Sequence, residues 1–326
     1  MKVGKIPESV LKRSVIKQIH TKRDEVILGA GVGEDCTALK LDPGEVLVMS
    51  TDPITGTATD CGMLSVQITV NDLASSGAEP VGIMLTALLP EETEEADIKA
   101  MMGQVESACA HFNIQIMGGH TEITRAVTQP VLSVTGVGKV REDRLVTTAG
   151  ARPGQDIVVT KWIGIEGTSI IAKEKEEELL GRFPEYFVEA AKGFDQFLSV
   201  LPESRIAVEA GVSAMHDVTE GGIYGALWEM AEASGVGLDI DLKSIPIRQE
   251  TVEICEYFGL NPYCLISSGS MLMASEHGHD LVSRLKTAGI EASVIGKAVE
   301  GKTRRILNGE AESFLGKPQT DELYKI

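Results

Sequence analysis

Apolar residues along this chain fall into two rhythms, one near 3.6 residues and one near 2, and their alternation sets out the elements. Leu11, Val15, Ile16 and Ile19 recur at helical spacing behind Pro7 and Glu8, which predicts an amphipathic helix in the first twenty residues. Residues 25–28 and 37–41 read as short strands, with the glycine-rich GAGVGED between them. Residues 45–50 (EVLVMS) predict a strongly apolar strand ending in Thr51-Asp52. From Met63 onward, Val66, Val70, Leu73, Ala74 and Gly77 form one stripe of a helix. Asn71, Asp72, Ser75 and Ser76 fall on another face, and Pro80 is placed to stop the helix. Residues 81–89 predict a buried strand, and 93–112 an acidic helix with Ile98, Met101, Met102, Val105 and Cys109 inside. A strand at 114–117 runs into Gly118-Gly119-His120-Thr121-Glu122, and a strand at 130–140 follows. The order predicts an α+β module whose helices lie on one sheet face.

AGARPGQD at 149–156 is a polar Gly/Pro turn, and it sets a domain boundary giving domains 1–150 and 151–326. The second half opens with a strand at 156–160, and the turn GIEGTS (164–169) starts a helix over 170–180. A helical region at 184–210 leads to MHDVTEGG, where Asp217, Thr219 and Glu220 precede a helix with Ile223, Ala226, Leu227 and Met230 inside. Strands near 237–241 and 271–274, a helix at 278–288 and a strand at 293–297 close the pattern.

Composition narrows the function classes. At 326 residues the chain can form two domains, and 43% hydrophobic content with 34 glycines describes a folded protein rich in tight turns. Thirty basic against 48 acidic residues give a net charge of −18, which argues against binding nucleic acid or an anionic membrane. A phosphorylated ligand would need a divalent cation to offset that charge. Five cysteines without C-x-x-C spacing argue against a disulfide scaffold or zinc ribbon. With no apolar run of spanning length or signal-peptide type, the expected location is the cytoplasm.

Candidate chemistry centres on carboxylates beside glycine or threonine: Asp35 in GED, Asp52 in STD, Asp72 in VND, and the His120/Glu122 pair in GGHTE. Carboxylates crowded at one sheet edge repel, so they either raise their pKa values or hold metal. Magnesium prefers oxygen ligands, and glycine loops let backbone N–H groups approach phosphate. Together these features point to a Mg-nucleotide site. G-x-G-x-G at Gly29, Gly31 and Gly33 is not a dinucleotide fingerprint, because its third glycine falls early and no long helix follows. Cys36 is read as a small buried residue at a strand start, and no nucleophile elbow marks a Ser-His-Asp hydrolase.

In the order GEDCTAL, STD, VNDLASSGAEP, GGHTE, ARPGQDIVVT and HDVTEGG, the chain resembles the aminoimidazole ribonucleotide (AIR) synthetase, PurM-like, ATP-binding superfamily. That group includes thiamin-monophosphate kinase, selenophosphate synthetase and the hydrogenase-maturation protein HypE. The resemblance implies an N-terminal α+β domain that dimerises through its sheet, a C-terminal α/β domain, and ATP in the cleft between them. It assigns Asp35, Asp52 and Asp72 to Mg-ATP. Gly118, Gly119 and His120 fall on the phosphate-proximal loop. Gly33, Thr121 and Asn71 are further cofactor-binding candidates, with Asn71 alternatively capping or bridging a neighbouring loop. In the second domain His216, Asp217, Gly221 and Gly222 match the motif facing the cleft. HDVTEGG stands nearer the HypE pattern than the Asp-Ile-Ser-Asp-Gly-like segment of thiamin-monophosphate kinases, so the AIR-synthetase-related, HypE-like group is the expected home. HypE proteins carry a modified cysteine in a short tail, whereas this sequence ends DELYKI with no cysteine after Cys264.

The chemistry this implies is phosphoryl transfer from ATP to an oxygen of an acceptor, small or carried on a maturation partner protein. Such catalysis is mostly positioning and charge neutralisation, and Lys161, Arg125 and His120 are the candidate catalytic groups.

Overall fold

The computed structural model describes residues 2–55 and 61–326, and the side chains of Thr55 and Cys61 lie outside the described set. The chain divides into two compact units, residues 1–74 with 78–145, and 146–326 with 75–77.

In the first unit the elements are β1 (Gly4–Lys5), α1 (Glu8–Val10), β2 (Val26–Leu28), β3 (Ala38–Leu39), β4 (Glu45–Thr55), α2 (Cys61–Ser75), β5 (Glu79–Leu89), α3 (Glu95–Phe112), β6 (Gln115–Ile123) and β7 (Val131–Arg141). Five of the strands form one sheet in the order β1-β6-β5-β7-β4, with only β5 and β6 parallel. Alternation decides its faces. Inward-pointing Leu132 and Val134 are fully buried, while on β4 the opposite face leaves Leu47 and Met49 exposed. The stripe Val66, Val70, Leu73 and Ala74 of α2 is buried. This helix lies so close to β7 that a Cβ on Gly136 would come 2.2 Å from Thr69 Cγ2. The helices thus cover one face of the sheet, as the pattern predicts.

Four expectations in this unit shift. The N-terminal helix is only α1, followed by a π-helical turn at Leu11–Val15 and a 3-10 turn at Ile16–Gln18. Thr51 and Asp52 lie inside β4 rather than at its end, because pairing with β7 runs unbroken to Thr55. Pro80 does not stop α2. The helix ends at Ser75, and Pro80 enters β5, where its missing N–H is taken up by a register shift between Pro80 and Gly82. Gly118 to Glu122 lie in β6 rather than in a loop, and parallel pairing with β5 carries the strand through them.

The second unit contains β8 (Asp156–Thr160), α4 (Ile165–Glu174), α5 (Glu176–Leu180), α6 (Glu185–Lys192), α7 (Leu201–Ala210), β9 (Ala214–Val218), α8 (Gly222–Ser234), β10 (Gly237–Asp241), α9 (Gln249–Phe258), β11 (Ser270–Ser275), α10 (Gly278–Thr287), β12 (Ala292–Val299), β13 (Arg304–Asn308) and β14 (Ala311–Phe314). Its seven-stranded sheet runs β14-β13-β10-β12-β8-β11-β9. Every residue of β8 and of β11 is buried, as strands covered on both faces must be. Helix α4 begins at Ile165, five residues earlier than the pattern predicts, because Gly164 adopts φ 71 and turns the chain directly into it. Helix α9 and the β13–β14 hairpin were not expected from periodicity. The hairpin leaves all four residues of β14 exposed, so it has no apolar alternation to read.

Candidate functional site

The candidate residues of the first unit fall into two groups. The first surrounds the glycine loop between β2 and β3. Thr37 Oγ1 ties this loop to Leu28 O at 2.7 Å, and Gly33 takes φ +82 within it. Gly33, Asp35, Gly118, Gly119, His120 and Thr121 all line a single cavity of about 120 Å³. Asp35 is exposed, and so is His120, whose Nε2 lies 3.2 Å from Glu122 Oε2 two residues along the same strand face. Thr121 points the other way and is 7% exposed. Gly119 has no freedom to be anything else. Its φ is +148, and a Cβ would stand 1.9 Å from Leu85 O. Cys36 is exposed rather than buried, because the loop lifts it off the sheet.

The second group lies where α2 crosses β4. Ser50 Oγ donates to Asp72 and stands 3.4 Å from Asp52 Oδ2, so one hydroxyl brings the two carboxylates side by side. Asn71, 1% exposed, faces back along α2 and accepts from Gln67 Nε2 at 3.0 Å. Two strands separate β6 from β4, which puts roughly 14 Å between those strands. Asp35 does not join Asp52 and Asp72 in a three-ligand cluster; among the described residues no group of three His, Cys, Asp or Glu is placed to hold a metal ion.

In the second unit, Asp217 sits in β9 opposite Met271 and is 7% exposed. Its neighbour His216 reaches Glu229 Oε2 at 2.8 Å. Gly221 caps α8 at φ 78, and its N–H donates to Asp321 Oδ2 at 2.7 Å. A Cβ on Gly222 would stand 2.7 Å from the carbonyls of Leu265 and Tyr263, so both positions require glycine. Lys161 is buried at φ 52, donates to Ser199 O at 2.6 Å and forms an ion pair with Glu203. Burial pulls the Lys161 ammonium below the usual lysine range. Arg125 is exposed and pairs with Glu91 at 3.0 Å.

Two features escape the reading of the pattern. Glu166, in the first turn of α4, is 4% exposed, and burial pushes its carboxyl up to about 6. Its Oε2 finds no hydrogen-bond partner among the described residues. A glutamate amid the small and apolar residues of IGIEGTS was the available signal. The second is Ser50, which stands in an apolar run yet joins the two carboxylates.

A pair of α+β units, the first with helices on one face of its sheet, is the PurM-like architecture. Residues 33–140 match the AIR synthase related protein, N-terminal domain, and residues 152–307 match the AIR synthase related protein, C-terminal domain. The chain belongs to the AIR synthase related family, in its HypE-like group. It is 30% identical over 286 residues to the carbamoyl dehydratase HypE of Cupriavidus necator, covering 82% of this chain and 77% of that protein. The solved structure of hydrogenase maturation protein HypE in complex with ATP superposes with a TM-score of 0.81 at 20% identity, covering 98% of this chain and 97% of the other. Thiamine-monophosphate kinase from Stenotrophomonas maltophilia superposes at 0.75 with 21% identity, covering 95% and 99%. No helix among the described residues is long and apolar enough to cross a membrane.

Proposed function

We propose that the protein is a Mg-ATP-dependent enzyme that transfers the γ-phosphoryl group to an oxygen of a small or protein-borne acceptor. The observation that carries this reading is the pairing of Asp52 and Asp72 on Ser50. Two carboxylates sharing one hydroxyl repel each other, and a divalent cation relieves that repulsion. Magnesium commonly takes one or two protein carboxylates and completes its shell with water and phosphate oxygens, so this pair fits it. Asp52 and Asp72 would hold the metal, while Asp35 stands apart from that pair in the glycine loop. When bound, the ion supplies charge neutralisation on the phosphates.

The chain's own residues supply the rest. Gly118 and Gly119 leave the backbone of β6 bare, and His120 presents its ring beside Glu122, which orients it. Among the candidate cations, Arg125 is exposed and able to turn from Glu91 towards a phosphate, whereas Lys161 is committed to Glu203. The names of the relatives support ATP as the nucleotide. The open sheet face bearing Leu47 and Met49 supports pairing with a second copy of the chain.

Calorimetry of ATP with and without MgCl2 tests the proposal. Wild type binds only with the metal, and Asp72→Ala loses that binding; absence of binding at millimolar ATP with Mg present sinks it. A second reading, favoured by the identity to carbamoyl dehydratase HypE, is a maturation factor acting on a partner protein. ADP formation stimulated by a carbamoylated peptide, and not by small phosphate acceptors, selects it.

A further inference from the structure

Aromatic side chains are scarce in this chain, with seven Phe, five Tyr and two Trp, yet Phe183, Tyr186, Phe187, Tyr257 and Phe258 gather on one corner of the second unit. They lie where α6 and the turn before it meet α9. Phe183 stacks on Phe187 with ring centroids 4.8 Å apart. Tyr257 meets Phe183 edge-on at 6.1 Å and Phe258 at 4.9 Å, and its hydroxyl reaches Glu178 Oε1 at 3.2 Å. Beneath them, Phe183, Phe187 and Phe258 pack on the core that holds Ile171, Leu179 and Ile254. The rings are fixed from below and from the side, so a group arriving on top has little left to order.

The outer side of this cluster is uncovered. Tyr186, beside Phe187 on α6, is 76% exposed, the most open large apolar side chain among the described residues. Leu180, three residues before Phe183, is 43% exposed and Tyr257 is 41% exposed. Core packing accounts for the three phenylalanines but not for these. Aromatic residues grouped on an open apolar surface match the composition of an interface.

The charge around the patch restricts what can dock on it. Residues 174–189 hold six glutamates against Lys175 and Arg182, which places four of the chain's eighteen excess negative charges on sixteen residues. Glu174, Glu177, Glu185 and Glu256 are exposed and in no ion pair among the described residues. Such a rim repels nucleic acid and anionic lipid. It also disfavours a second copy of this chain, because a two-fold pairing would set acidic rim against acidic rim.

We infer that this corner of the second unit docks a segment of another protein whose aliphatic or aromatic anchor is flanked by lysines or arginines. The surface is built within the second unit alone and does not depend on the nucleotide reading, so either can fail without the other.

A displayed library of random peptides of about twelve residues, selected on the full chain, tests the inference. Recovered peptides should carry an apolar anchor between basic residues. Synthetic copies should bind Tyr186→Ala about tenfold or more weakly than wild type, and wild-type binding should weaken about threefold or more as NaCl rises from about 0.05 to 0.5 M. The paired change Glu177→Lys with Glu185→Lys keeps the aromatic surface and should turn selection towards peptides with acidic flanks. Every altered side chain is exposed, so urea midpoints equal to wild type report an intact fold. A library that yields no enriched peptide, peptides without basic flanks, or equal binding to wild type and Tyr186→Ala overturns the inference. So does sedimentation showing a wild-type oligomer that Tyr186→Ala dissociates, because the patch would then join copies of this chain.

Discussion

Glu166→Gln isolates the energetic consequence of a carboxylate buried with little support. Ser268 donates to the carboxyl, but Asp321 and Glu220 stand near enough to raise it further after burial has done most of the work. Asp321 is itself 3% exposed and raised by burial, held by Gly221 N–H at 2.7 Å and Leu323 N–H at 2.9 Å. The carboxyl titrates near 6 in the folded protein against an ordinary value of 4.5. Below 4.5 it is protonated in both states and folding bears no penalty. As pH rises through 6 the folded state must bury the charge, and the loss of stability approaches about 2 kcal/mol by pH 7.5. Glutamine keeps the shape, carries no charge and offers an amide donor towards Asp321. Urea unfolding of the full chain should therefore show Glu166→Gln more stable by about 2 kcal/mol at pH 7.5, with the gap closing towards pH 4.5. For a unit of this size that is a rise in Tm of about 4–8 °C. The same gap at both pH values, or none at pH 7.5, would refute the reasoning.

Other substitutions probe separate parts of the fold. Gly119→Ala drives a Cβ onto Leu85 O at a backbone angle alanine avoids, so urea unfolding should register a loss of about 3 kcal/mol or more. Glu203→Gln leaves the Lys161 ammonium buried without its counter-charge and should lower stability by about 3–5 kcal/mol in the same assay. The paired change Lys161→Met with Glu203→Leu should recover most of that loss; a double variant as unstable as the single one contradicts the ion-pair account. Arg125→Ala should leave stability within about 0.5 kcal/mol, because its pair with Glu91 is exposed. A large fall in its rate of ADP formation at unchanged stability then identifies Arg125 as a group acting on the phosphates.

Much of the fold was legible because buried strands and helices impose their period on the sequence. The strand at 156–160 and the buried stripe Ile223, Ala226, Leu227 and Met230 stand where the pattern puts them, since both are fully packed. Exposed or irregular elements were not legible. The β13–β14 hairpin lacks alternation, and the N-terminal segment has helical spacing but breaks into π and 3-10 turns, with the Ser14 hydroxyl donating to Glu95 and the His20 N–H to Glu106 on α3. Gly118 to Glu122 read as a loop because two adjacent glycines usually end a strand. Here they continue β6, and Gly119 is demanded by the carbonyl of Leu85 on the next strand.

Sequence alone determined the family, through an ordered series of short motifs, and it named the residue types able to handle Mg and phosphate. It did so because glycine and carboxylate positions are set locally, by backbone angle and by charge. Tertiary structure decided which of them meet. The crossing of α2 over β4 puts Asp52 and Asp72 on one serine, and strand order leaves two strands between β4 and the β6 that carries His120. It also turned Lys161, an open cation in the sequence, into half of a buried ion pair. Convergence of that kind depends on sheet order and helix placement, which are long-range pairings that no local pattern encodes.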